Sequence, residues 1–219
     1  MASETEICVL ALRRLGQEAN LNSLEDNTAY VETAKASLPI VKDALLERHA
    51  WNFATTKVRP AKLDEKPIGW DAMYAIPSDC LRVLSVYSEA ALTAQTALKM
   101  GAEYYARGAS VMSMWHTEDQ WVVEMWGPHR VLETNIEKPV LKYVRRVKET
   151  GLFSPTFTDA LVWHLAASLA GPIVKGETGL SVSNKLLQVA QYYEAVAITS
   201  DVNQRHTHSY RPDAPWVGV

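Results

Sequence analysis

The hydrophobic period of this chain changes twice, and the two changes restrict what it can fold into. Up to residue 49, Val31, Ala34, Leu38, Val41 and Leu45 recur every three or four positions, the spacing that lines one face of a helix. In LERHAWNFATTKVRPAKL, residues 46–63, that spacing stops at Trp51. From Trp51 to Arg59 the set Trp51, Phe53, Thr55 and Lys57 alternates with period two, which a helix would scatter around its circumference. Helical spacing returns at Ser154. The pattern predicts an α+β protein in which Trp51 and Phe53 share one strand face and plug the junction between helices and sheet.

The helical parts carry their own start and stop signals. Ser3 followed by Glu6 matches a capping box, and Cys8, Leu12 and Leu15 then share a face, predicting a first helix over residues 4–15. After the polar turn QEANLNSLEDN, in which Asp26 or Asn27 can cap, a long helix runs to about residue 49. Pro39 lies inside it and predicts a kink there, or two shorter helices end to end. Ser154 and Pro155 form a cap and first-position pair ahead of Phe157, Leu161 and Leu165, with many alanines between them. Pro172 should kink or end that helix, GETGLSVSN should make a turn, and a last helix over about 181–203 should bury Leu186, Val189, Tyr193 and Val196.

Between the helical parts the chain reads as strands around WDAMYAI, CLRVLSVY, EYYARGASVMSMW with a turn at Gly108, WVVEMW, HRVLET and VLKYVRRV. Pro77, Gly127 with Pro128, and Pro139 separate them. SEAALTAQTALKM is Ala-rich enough for a short helix but lacks a firm cap. Beyond residue 203, QRHTHSYRPDAPWVGV has no helical period and too few apolar residues to fold alone, and it reads as an extended arm. The domain organisation expected is therefore residues 1–50 with 154–203 as helices, 51–153 as a β-rich insertion, and 204–219 as the arm.

Charge and motifs exclude several function classes. Lys and Arg number 22 against 25 Asp and Glu, a net charge of -3, which offers no bulk attraction to nucleic acid or anionic membrane. Cys8 and Cys80 show no metal or C-x-x-C spacing and read as two reduced thiols. The opening MASETEI does not read as a secretory leader, and no apolar run approaches the length needed to span a bilayer. A nucleophile elbow, a phosphate loop of the G-x-x-x-x-G-K type and a dinucleotide fingerprint are all absent, and the reading calls for no cofactor or metal. His206 and His208 pair closely but within the arm, while His164 reads as a hydrogen-bonded structural histidine. Asp71, Asp79, Glu124 and Glu133 fall in or beside strands. They read as solvated strand edges, with paired-carboxylate chemistry as the enzyme alternative.

Four ordered blocks carry a resemblance. LPIVKDALLERHAWNFA, WDAMYAIPSDCLRVLSV, VLETNIEKPVLKYVRRV and LFSPTFTDALVWHLAASLAGPI together resemble the tail tubular protein A and head-to-tail adaptor family of tailed bacteriophages and cover most of residues 38–174. Between Tyr87 and Gly127 the chain carries a longer, Met- and Trp-rich stretch than that pattern. The resemblance implies a core bundle of about four helices with the β-rich insertion between the second and third. It implies a virion protein at the head–tail junction, assembled in the host cytoplasm and not an enzyme. Copies would form a ring, commonly of twelve, joining the portal protein to the tail nozzle or tube protein. DNA would pass through the lumen without sequence-specific binding, and a weakly acidic bore would avoid trapping it.

Within that reading the arm is the candidate portal-binding element, through Arg205, Tyr210, Arg211, Pro212, Pro215 and Trp216, with Trp216 as anchor. Burial of its few apolar side chains does not offset the entropy of ordering it alone, whereas a partner adds backbone hydrogen bonds and the prolines lower the entropy lost on docking. The alternative is a tail-associated glycan hydrolase using paired carboxylates of the β region. A small DNA-binding regulator is disfavoured by the negative balance and the lack of a basic helix.

Overall fold

A computed structural model describes residues 2–16, 29–89 and 121–204. Among them the order is α1 (Glu4–Arg14), α2 (Ala29–Arg48), β1 (Thr55–Val58), β2 (Ala72–Ala75), β3 (Cys80–Ser88), β4 (Trp121–Trp126), β5 (His129–Thr134), β6 (Pro139–Arg145), a 3-10 turn at Thr150–Leu152, α3 (Pro155–Val174) and α4 (Gly176–Val202). The protein is α+β, with four helices and two small antiparallel sheets among the described residues. Contacts divide it into two compact units, Met1–Val41 with Phe153–Val219, and Lys42–Leu152.

The first unit is helical. Ser3 Oγ accepts a hydrogen bond from the Glu6 amide at 3.1 Å, and Glu6 Oε2 accepts one from the Ser3 amide at 2.7 Å, so the capping box satisfies amides that the first turn of α1 leaves open. Ile7, Cys8, Ala11 and Leu12 then turn inward. α2 is one helix of 20 residues, not two, with Pro39 inside it. Pro39 is exposed, so the backbone acceptor it deprives of a partner lies on the solvent side. α3 starts as its sequence predicts. Ser154 Oγ accepts from the Phe157 amide at 3.2 Å with Pro155 at the first position, and Phe157, Leu161 and Leu165 are fully buried.

Two expectations about α3 and α4 are overturned. Contrary to the reading that no apolar run nears membrane-spanning length, Pro155–Val174 is long and apolar enough by length and composition. Slightly over half of that stretch is buried inside the protein, and α3 packs against both α1 and α4, which accounts for its apolarity in a core helix. The stretch GETGLSVSN is not a turn. α3 runs two residues past Pro172, the reversal is made at Lys175 with φ 57°, and α4 begins at Gly176. Of the glycines there, Gly176 takes φ 65° at the reversal, and Gly179 lies in helix packing: a Cβ on it would meet the Ala170 carbonyl oxygen at 3.4 Å and the Gly171 oxygen at 3.5 Å.

The second unit is built on the two sheets, with strand orders β1-β6-β3 and β2-β5-β4. Thr56 pairs with Tyr143 and Val58 with Leu141 across β1 and β6, and Tyr74 pairs with Leu132 across β2 and β5. Tyr74, Leu132, Leu141 and Tyr143 join Cys80 and Val86 in one apolar cluster drawn from both sheets. β3 carries two register irregularities, between Cys80 and Arg82 and between Val83 and Ser85. Arg130 on β5 donates to the Cys80 and Leu81 carbonyl oxygens at 3.2 and 3.4 Å, beside the first of them. β4 and β5 are joined through Gly127 and Pro128, with Trp126 opposite His129. Gly127 has φ 59°, as a two-residue hairpin turn with glycine first requires.

The strand expected from Trp51 starts instead at Thr55. Residues 52–54 form a turn, so Trp51 and Phe53 do not share a strand face. The turn is favoured because the Trp51 carbonyl oxygen accepts from the Ala54 amide at 3.1 Å, the Thr55 amide at 2.9 Å and Thr55 Oγ1 at 2.7 Å. Backbone acceptance by one oxygen overrides the alternation that the side chains suggest.

Candidate functional site

Trp51 follows the end of α2 and is fully buried. Its indole Nε1 donates to the Leu45 carbonyl oxygen at 3.0 Å, an acceptor in the last turn of α2. The His49 ring meets the indole edge-on at 4.9 Å, and Phe53 stacks on it at 6.1 Å with 28° between planes. Beside this turn the Ala54 carbonyl oxygen accepts from the Arg145 amide at 2.8 Å, and Arg146 Nε donates to Asp43 Oδ2 at 2.7 Å. Burial combined with a satisfied indole N–H makes Trp51 a packing anchor with no free polar atom to offer a ligand.

The four candidate carboxylates are placed in different settings. Asp71 lies just before β2, with its amide donating to Asn135 Oδ1 at 3.0 Å. Asp79 Oδ1 accepts from the Tyr143 hydroxyl at 3.1 Å; burial first, then this aspartate, pushes the Tyr143 phenol up to about 12. Glu133 and Glu124 do share a face. Glu133 stands opposite Val122 and Glu124 opposite Val131 in the β4–β5 ladder, a diagonal pair. Glu124 is exposed, whereas Glu133 is only 6% exposed, and burial followed by the charge of Glu124 raises its carboxyl above the usual glutamate range. The expectation of solvated edges therefore fails for Glu133: β5 is the central strand of its sheet.

A groove of about 580 Å³ runs along α1, lined by residues that include Thr5, Glu6, Val9 and Arg13. Among its described lining residues the one carboxylate, Glu6, is engaged in the capping box, so these residues form no acid–base pair. Among the described residues no group of three or more His, Cys, Asp or Glu is arranged to hold a metal. Cys8 and Cys80 are buried free thiols, each pushed up to about 11 chiefly by burial.

The helical unit holds a polar and aromatic cluster. His164, 7% exposed on α3, lies with Nε2 2.8 Å from Glu194 Oε2 on α4, as a hydrogen-bonded structural histidine would. One residue back on each helix, Trp163 stacks on Tyr193 at 5.5 Å and 16°. The Arg14 guanidinium lies 4.2 Å above the Trp163 ring and 3.6 Å from Asp159, tying α1 to α3.

α4 is rotated from the expected phase. Ala190 and Ala197 are buried, while Val189 and Val196, expected in the core, are exposed and Leu186 and Tyr193 are half-buried. Small residues form the seam because they let α4 approach α3 closely, as Gly179 does at Ala170 and Ser183 does by donating to the Ala167 carbonyl oxygen at 2.8 Å. The large apolar residues are left on the flanks. Leu180, 65% exposed, and Leu187 lie on one side of the seam; Val189, Tyr192, 66% exposed, and Val196 lie on the other. A second bare apolar feature is the tip of the β4–β5 hairpin, where Met125 is 63% exposed beside exposed Trp126.

Arg205, Tyr210, Arg211, Pro212, Pro215 and Trp216 lie outside the described residues, as do His206, His208 and the strand expected over EYYARGASVMSMW. The flanks of α4 and the hairpin tip went unnoticed in the sequence. The signal available was a surplus: α4 has more large apolar residues than one seam accommodates. No family model matches the chain, and no curated protein matches it either.

Proposed function

We propose that this chain is a structural virion protein, a head-to-tail adaptor. Copies form a ring, of twelve in the reading adopted here, that joins the portal protein to the tail nozzle or tube and lets DNA pass. The observation that carries the proposal is the order of four sequence blocks from Leu38 to Ile173, far more specific together than any one of them. The fold is compatible with it. Among the described residues six strands fall between α2 and α3 in chain order, an order compatible with a helical bundle carrying a β insertion. Bare apolar side chains on α4 and at the hairpin tip suit a protein that works by repeated contact. In this reading residues 204–219 extend along the portal and Trp216 anchors them.

The diagonal pair Glu124 and Glu133, with Glu133 raised, favours one other reading, a glycan hydrolase in which Glu133 donates the proton. The two readings separate cleanly: bacterial surface glycan turned over by the protein, and spared by Glu133→Gln, supports the hydrolase.

Mass by light scattering tests the adaptor, measured on the protein alone and mixed with the portal protein encoded by the same genome. A ring-sized species in the mixture is expected. A chain that stays monomeric in both samples overturns the proposal.

A further inference from the structure

We infer that the two exposed flanks of α4 are the two unlike halves of one contact between neighbouring copies of this chain, an inference that rests on the ring reading above. The seam of α4 against α3 runs through Gly179, Ala190, Ala197 and Asp201. At about 100° per residue, Leu180 and Leu187 fall on one side of that seam and Val189, Tyr192 and Val196 on the other. The sets differ in make-up. Leu180 and Leu187 are one heptad apart; Val189, Tyr192 and Val196 are spaced by three and four, the knobs that a neighbouring helix receives.

Charge supports a protein occupant. From Ser181 to Ile198 the helix carries only Lys185 and Glu194 as charged residues, and Glu194 is turned to His164 on α3. The outward surface of that stretch is otherwise neutral, with Asn184, Gln188 and Gln191 among its exposed side chains. Depletion of charge around aromatic and aliphatic side chains is the composition of an interface centre.

Geometry favours a second copy of this chain. Two different flanks on opposite sides of one seam cannot both be covered by a single two-fold contact. They can be covered if the leucine flank of each copy seats on the Val189–Tyr192–Val196 flank of the next, a head-to-tail contact that closes into a ring when the rotation allows. Area sets its strength. Leu180 to Leu187, and Val189 to Val196, each span about 12 Å of the helix axis, so one flank covers roughly 120 Å², well short of the ~800 Å² per partner of a stable pair. A pair of copies is therefore weak, and the ring gains from closure or from a partner that collects the copies.

Cysteine placement tests the contact. Leu187→Cys and Tyr192→Cys are made singly and together and treated with a short bismaleimide under conditions where the protein has assembled, with or without portal. Cys8 and Cys80 are buried and do not compete. The mixed single variants should give heterodimers while neither alone gives more than traces, and the double variant should give a ladder beyond dimer. Single variants that link to themselves overturn the head-to-tail arrangement. A ring-sized sample with no links shows that the ring stands and this surface is not its contact. A Tyr192→Cys site shielded in the full chain and exposed by deletion of residues 205–219 shows that the chain's own arm covers the flank, which also overturns the inference. As a check that needs no cross-linker, Leu187→Lys and Tyr192→Lys should each shift the assembly midpoint at least about 10-fold while the melting temperature of the monomer is unchanged. Unchanged assembly in both variants counts against the contact.

Discussion

Glu133 shows how a single buried side chain bears on stability. It occupies the middle strand of a three-stranded sheet and is nearly covered, so ionising it separates a charge from water, and Glu124 on the same face adds repulsion. A carboxyl raised in the folded state gives its full share of stability below the ordinary glutamate value of 4.5 and loses it as pH climbs through the raised value. Glu133→Gln should accordingly melt higher than the parent at pH 7, and the difference should fade below pH 4.5. A variant that melts lower at pH 7 would mean that the ionised carboxylate is held by a favourable contact. Trp51 makes the complementary point. A buried tryptophan at a change of period was legible in the sequence, but its carbonyl, which sets the turn that follows, was not. Hydropathy patterns describe side chains and are blind to backbone acceptors.

The helix pair α3–α4 is where sequence reading and structure part most clearly. The starts of α1 and α3 were legible, since a serine cap followed by glutamate or proline fixes the first turn by local hydrogen bonds alone. The positions of β2 to β6, where described, were legible from alternation and from their proline and glycine boundaries. The phase of α4 was not, because its seam is made of glycine and alanine, which a search for large apolar residues passes over. Gly179 tests this account. Its absent Cβ leaves an ordinary contact distance to Ala170 and Gly171, enough for a methyl and for little more. Gly179→Ala should stabilise the protein by about 0.5–1 kcal/mol through helix propensity, a rise of roughly 1–4 °C in melting temperature. Gly179→Val should cost about 1–3 kcal/mol by forcing the two helices apart. Equal melting temperatures for the two variants would mean the helices are not held at contact distance here.

The proposed adaptor has two unlike candidate sources of binding: bare side chains on folded elements and the run QRHTHSYRPDAPWVGV after α4. They predict separable losses. If the arm is the portal anchor proposed above, removing residues 205–219 should leave a folded chain that no longer sediments with portal rings, because the arm's sequence holds too few apolar residues to fold alone. Unchanged attachment would leave Trp216 without the role proposed for it. The candidate surfaces were the least legible part of the protein, for a physical reason: an interface made of ordinary apolar residues looks, in one dimension, like more core.

Met125 and Trp126 at the hairpin tip carry a consequence for how such a protein must be handled inside a cell. A molecule that leaves an adhesive side chain wetted has a solubility ceiling, and above that ceiling copies meet one another before they meet the intended target. Synthesis rate then becomes a structural parameter. Slow production keeps the free pool dilute, whereas overproduction invites clumps that begin at this hairpin tip.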